Sequence, residues 1–173
     1  MIHVYKGDGK GKSTAAFGMC LRAIAAGKRV CIVQFLKNGR SGEARLLAEY
    51  PDVTLLSAEG TAKFTRVMDD GDRAAARAMH DEKLAQAARL VEAGECDMLV
   101  LDEAAAASRK GLLDDGLLRP LLARAADNRD FELVVTGREP PGYLLEQADY
   151  ITDMQCERHP AKRGVKARKG VEL

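Results

Sequence analysis

Gly7-Asp8-Gly9-Lys10-Gly11-Lys12-Ser13-Thr14 and Asp102-Glu103 are the two stretches of this chain whose residue types can do chemistry together. Glycines let a backbone bend until successive N–H groups point inward, and with a following helix N-terminus those amides bind phosphate oxygens. Lys12 adds a point charge for the outer phosphates, and Ser13 offers a hydroxyl to a divalent cation. The spacing departs from the usual phosphate loop, which places a glycine five residues before Gly11. Lys6 stands there, and the nearest glycine, Gly7, is one residue too close. A glycine-rich hairpin turn is the plain alternative. The order strand, Gly-Lys-Ser, helix favours the phosphate site. Asp97-Met98-Leu99-Val100-Leu101-Asp102-Glu103 is an apolar run that ends in two acids. At the carboxyl end of a parallel strand these acids lie where open α/β sheets bind ligands. One can hold Mg²⁺ directly or through its water, and the other is either a further ligand or a base. Taken alone, such a pair is as readily a helix cap. Taken together with the loop, it points to Mg–ATP binding, without naming the reaction.

Placing these groups needs a sheet. Ile2–Tyr5, Val30–Leu36, Val53–Ser57, Met98–Leu101, Leu133–Thr136 and Tyr150–Met154 read as strands, several of them without polar alternation, as buried parallel strands do. Ser13–Ala26, Gly42–Glu49, Asp70–Ala93, Leu117–Ala126 and Pro141–Glu146 read as helices, with Gly27 and Gly94 where two of them should stop. The alternation predicts an α/β fold, a mostly parallel sheet with helices on both faces. Residues 1–156 are expected to form this domain. Residues 157–173 carry six Lys and Arg against two Glu and form a basic tail of the same domain, not another layer.

The composition removes several classes. Lys plus Arg is 27 against 26 acids, a balance that makes no case for nucleic acid or an anionic membrane as partner. No apolar run approaches the ~20 residues of a membrane span, and the N-terminus lacks a signal-peptide pattern. Cys20, Cys31, Cys96 and Cys156 form no CxxC and sit at no metal spacing from His3, His80 or His159, so reduced thiols in a cytoplasmic protein are expected. Arg138, at the end of a strand on the ligand side, is a candidate phosphate contact or an ordinary turn residue. Lys37 and Glu43, near the end of the second strand, stand equally open.

These blocks together resemble the P-loop corrinoid adenosyltransferases. Gly7 to Thr14 is similar to that family's own short loop. Ala15-Ala16-Phe17-Gly18 with Leu21-Arg22-Ala23 follows it. Val33-Gln34-Phe35-Leu36-Lys37 with Gly42-Glu43, Leu99 to Glu103, and Val135-Thr136-Gly137-Arg138 with Ala148-Asp149 come in the family's order. His159-Pro160, Gly164 to Ala167 and Gly170-Val171-Glu172 resemble its closing segment. The resemblance implies transfer of the 5′-deoxyadenosyl group of ATP to a Co(I) corrinoid, with triphosphate as leaving group. It implies that Gly7 through Ser13 cradle the triphosphate, that Lys10 and Lys12 balance its charge, and that Ser13 and Glu103 bind Mg²⁺ with Asp102 behind them. It implies a RecA-like sheet, a homodimer, and a reductase or other reductant supplying Co(I). The family commonly has an extension ahead of its first strand, which here begins at Ile2. Its corrinoid-facing loop reads roughly Gly-Phe-Thr-Trp; here it is Lys63-Phe64-Thr65-Arg66, with Phe64 kept and Arg66 in place of the aromatic. Ala104 to Ala107 are small where the family often has larger side chains. From the residues alone, a RecA-like ATPase in which Glu103 activates water, or a small-molecule kinase, are the competing readings.

Overall fold

In the computed structural model, which describes residues 1–37, 41–57 and 67–171, the apolar runs become strands of one sheet. They are β1 (Ile2–Lys6), β2 (Val30–Gln34), β3 (Val53–Ser57), β4 (Met98–Asp102), β5 (Glu132–Thr136) and β6 (Tyr150–Asp153). Their order is β3-β2-β4-β5-β1-β6, and every neighbouring pair is parallel. β2 and β4 are buried along their whole length, which explains why both sequences lack alternation.

The connections are α1 (Lys12–Ala25), α2 (Gly42–Leu47), α3 (Asp70–Glu92), α4 (Ala104–Arg109), α5 (Asp115–Asp127) and α6 (Gly142–Glu146). Two cores divide them between the faces of the sheet. Ala16, Phe17, Cys20 and Ala23 of α1 pack with Ala44 and Leu47 of α2 on Ile32, Val100 and Val134. On the other face Leu84, Ala87 and Val91 of α3, Leu118, Leu121 and Leu122 of α5, and Leu144 of α6 cover Val4, Val33, Leu99, Leu101 and Val135. The spacing of each set puts one stripe of a 3.6-residue helix on the sheet. Asp69 caps α3 through the amide of Asp72, whose carboxylate reaches back to the Asp69 amide.

Two expectations from the sequence need correction. The second strand ends at Gln34 and not at Leu36, because Leu36 turns left-handed with φ 54°. Beyond the acid pair, Glu103 opens a further short helix, α4, whose Ala104 to Ala107 are all buried. The small size of Ala105 has a local reason. Gly137, with φ 148°, runs so close to α4 that a Cβ there would lie 2.8 Å from the Ala106 amide nitrogen and 2.9 Å from the Ala105 Cβ.

Beyond β6, the described part of the tail forms only a 3₁₀ turn, Pro160–Arg163. His159 caps it by accepting from the Ala161 amide at 3.2 Å. Cys20, Cys31 and Cys96 are buried and unpaired, and Cys156 is half-buried.

Candidate nucleotide site

The register of the sheet assembles the site. β2 pairs with β4 so that Gln34 lies beside Asp102, and Leu101 beside Val135 brings Thr136 level with them. Three polar residues therefore form a row across the carboxyl edge of the sheet. β2 and β4 leave this edge toward opposite faces, the place where parallel sheets open a crevice. The phosphate loop stands at the end of β1, beyond β5.

Asp102 is fully buried and accepts four hydrogen bonds. Ser13 Oγ donates to Oδ1 at 2.7 Å and Thr136 Oγ1 to the same oxygen at 2.8 Å. Gln34 Nε2 donates to Oδ2 at 3.2 Å, and Lys37 Nζ at 2.5 Å. A buried carboxylate needs this density of donors to remain charged. Glu103 follows in the left-handed region, φ 64°, with its amide on Thr136 Oγ1 at 2.9 Å. A non-glycine residue holds that conformation only when its surroundings enforce it. Of the acids at this strand end, Asp102 is the one that Ser13 reaches. Lys37 joins the cluster, whereas Glu43 is exposed on the first turn of α2.

The loop is shaped as much by the far end of the chain as by its own glycines. The Gly9 amide donates to the Met154 carbonyl at 2.7 Å, and the Met154 amide to the Lys6 carbonyl at 2.9 Å. The Asp8 carboxylate accepts from the Cys156 amide at 3.0 Å, and Lys6 pairs with Asp153 at 2.6 Å. A Cβ on Gly7 would collide with the Met154 carbonyl oxygen, and one on Gly9 would lie 2.6 Å from it. Two of the three loop glycines are therefore demanded by this crossing. The Gly9 amide, read from sequence as a phosphate donor, is taken by Met154. Lys12 is buried with Nζ on the Gly9 carbonyl at 2.7 Å. Burial pushes its pKa down, and Arg138 adds to the effect, while Glu103, Asp8 and Asp102 oppose it. Lys10, Thr14 and Arg138 are exposed around the loop. Phe64 and Arg66 lie outside the described residues.

Sequence reasoning missed Gln34, Thr136 and Met154 as parts of this site. The first two had a visible signal: each is a polar residue closing an apolar strand, as Asp102 is. His80 was also passed over. Its Nδ1 is 2.8 Å from the Leu112 carbonyl, so Nδ1 carries the proton, and Nε2 faces the Leu36 amide at 3.4 Å. Burial lowers its pKa from the ordinary 6.5, more than the Leu112 bond and Asp81 raise it. A histidine held neutral in the folded state contributes no penalty above about pH 6.5. Below that, the unfolded chain takes up a proton that the folded chain refuses, and stability falls. His80→Gln should flatten the urea-melt stability profile between pH 6.5 and 5, by up to about 1.4 kcal/mol per pH unit. Parallel profiles for the two proteins would exclude His80 as the group responsible.

A glycine loop leading into a helix, tied by its serine to an acid at the end of a buried strand, defines a P-loop nucleotide-binding protein. The strand order agrees with a RecA-like fold: a KaiC-like protein of Pyrococcus horikoshii superposes with TM-score 0.54 at 16% identity, over 89% of this chain and 70% of that one. The family model for ATP:corrinoid adenosyltransferase BtuR/CobO/CobP matches residues 1–173, and the chain belongs to that family. A corrinoid adenosyltransferase of Pseudomonas aeruginosa is 38% identical over all of this chain and 83% of its own length. One from Escherichia coli is 33% identical over 99% and 85%. The activity is ATP-dependent transfer of an adenosyl group to a corrinoid, and the hydrolase and kinase readings are not favoured.

Proposed function

We propose that the loop from Gly7 to Ser13, its Gly9 amide excepted, cradles the triphosphate of ATP with Lys10, Lys12 and Arg138 against its charge. Ser13, Asp102 and Glu103 hold the Mg²⁺ that travels with it. The observation that carries this reading is the 2.7 Å bond from Ser13 to Asp102, which joins loop and acidic strand end across β5. The donors suit Mg²⁺, which binds hard oxygens, few of them from protein and the rest from phosphate and water. Mg²⁺ supplies charge neutralisation on the departing triphosphate.

In the reaction, Co(I) of the corrinoid attacks C5′ of the ribose. The cobalt supplies both electrons of the new Co–C bond, and the C5′–O pair leaves with the triphosphate. No water has to be activated. Asp102, with both oxygens engaged by donors, is not a base. The protein's task is to hold ATP in line and to stabilise charge. Phe64 is proposed to cover the lower face of the corrinoid, where an apolar ring keeps nitrogen and water donors from cobalt, and Arg66 to contact a corrinoid amide or face solvent. A homodimer, a reductase that delivers the electron for Co(I), and a cytoplasmic setting complete the reading.

Product analysis tests it. Triphosphate should appear one for one with adenosylcorrinoid, and Glu103→Gln should slow the transfer with the same products. ADP or phosphate formed without corrinoid would overturn the reading.

A further inference from the structure

The Ser13 hydroxyl and the Asp102 carboxylate already have a cation between them, and it belongs to the chain. Lys37 Nζ lies 3.0 Å from Ser13 Oγ and 2.5 Å from Asp102 Oδ2. The lysine reaches this point from the left-handed turn at Leu36, and its ammonium stands 6.0 Å above the Phe17 ring. Asp102 is fully buried, whereas the Lys37 side chain is 26% exposed. One partner is fixed and the other has a way out. Beside them Gln34, 1% exposed, spends its amide hydrogens on Ser41 and Asp102, and its Oε1 is buried with no partner. A buried acceptor left unpaired is costly, and a donor brought in by a ligand or its water would satisfy it.

We propose that Lys37 is a placeholder cation: it neutralises Asp102 while the site is free of nucleotide and swings onto the triphosphate when Mg–ATP enters. The physical reason is direct. A buried carboxylate is unstable without a counter-charge. Its two oxygens already accept from Ser13, Thr136, Gln34 and Lys37, so a metal must displace a donor, and the incoming triphosphate offers the displaced ammonium several anionic oxygens close to the loop. Lys37 is a positioning residue in the free protein and a phosphate contact in the loaded one. The inference rests on the metal seat proposed above.

Mn²⁺ as an EPR-visible probe separates the two claims. In nucleotide-free protein, Lys37→Met should bind Mn²⁺ at least tenfold more tightly than wild type, because the competing charge is gone. Lys37→Arg, which restores the charge, should match wild type. Equal or weaker Mn²⁺ binding by Lys37→Met, with Mn–ATP still bound by wild type, would overturn the placeholder and leave the seat standing. Failure of wild type to bind Mn²⁺ even with ATP would overturn both. Should Lys37→Met not fold, ¹⁵N NMR of the wild-type ammonium, assigned by its loss in Lys37→Arg, gives the same answer. Mg–ATP should move the signal, while ATP in EDTA should leave it in place. The same response to both would overturn the placeholder.

Discussion

Lys12→Ala should lose adenosyl transfer by about 10²–10³-fold or more while its melting temperature stays level or rises. Both halves follow from the position of one ammonium. Lys12 is 7% exposed, and among the described residues its ammonium donates to the Gly9 carbonyl. Burial holds its pKa down, so at neutral pH the charged form is a cost carried by the folded protein. That cost would be relieved only as the pH rises through the lowered pKa, and alanine removes it at every pH. Strain of this sort collects where a ligand will use it. The rate of adenosylcorrinoid formation and a thermal melt on the same samples check the claim. Near-wild-type transfer would remove the loop from the triphosphate site, and a large fall in melting temperature would make Lys12 a structural residue.

Asp102→Ala should behave in the opposite way on stability, though transfer is again lost. Four donors lose their acceptor at once: Ser13, Thr136, Gln34 and Lys37. Breaking a buried charge pair costs about 3–5 kcal/mol, and the partial exposure of Lys37 sets the expectation near the lower end. For a chain of this size each kcal/mol moves the melting temperature by roughly 2–4 °C, so a drop of about 6–12 °C is expected. Asp102→Asn should recover little, because its amide group sets a donor against donors. A melt within 2 °C of wild type for Asp102→Ala would mean that the cluster does not hold the sheet edge together.

The pair of predictions also marks how far the sequence could be read. The loop, the acidic strand end and the alternation of strands and helices were legible because each is a local pattern. The α4 helix was not. It is six residues long, too short to show a period, and Glu103 in the left-handed region is not the Ser, Thr, Asp or Asn that signals a helix start. Of its four alanines, Ala105 answers to Gly137, 32 residues later in the chain, where a Cβ would come within 2.9 Å of it. Gln34 and Thr136 became site residues through strand order, and β4 lies between them only once the sheet is assembled. Loop glycines were read for what they open toward a ligand, whereas Gly7 and Gly9 are fixed by what closes against them from Met154.

That closure sets an order of events during synthesis. The nucleotide loop precedes β6 in the chain, yet its shape depends on bonds that span up to 148 residues, from Asp8 to Cys156. Such distant pairings form late, after the intervening chain has condensed. A nascent or truncated chain that stops short of β6 carries the Gly-Lys-Ser sequence without the carbonyl that holds Gly9 in place. The proposed seat for the triphosphate is therefore complete only once β6 and Met154 have joined β1.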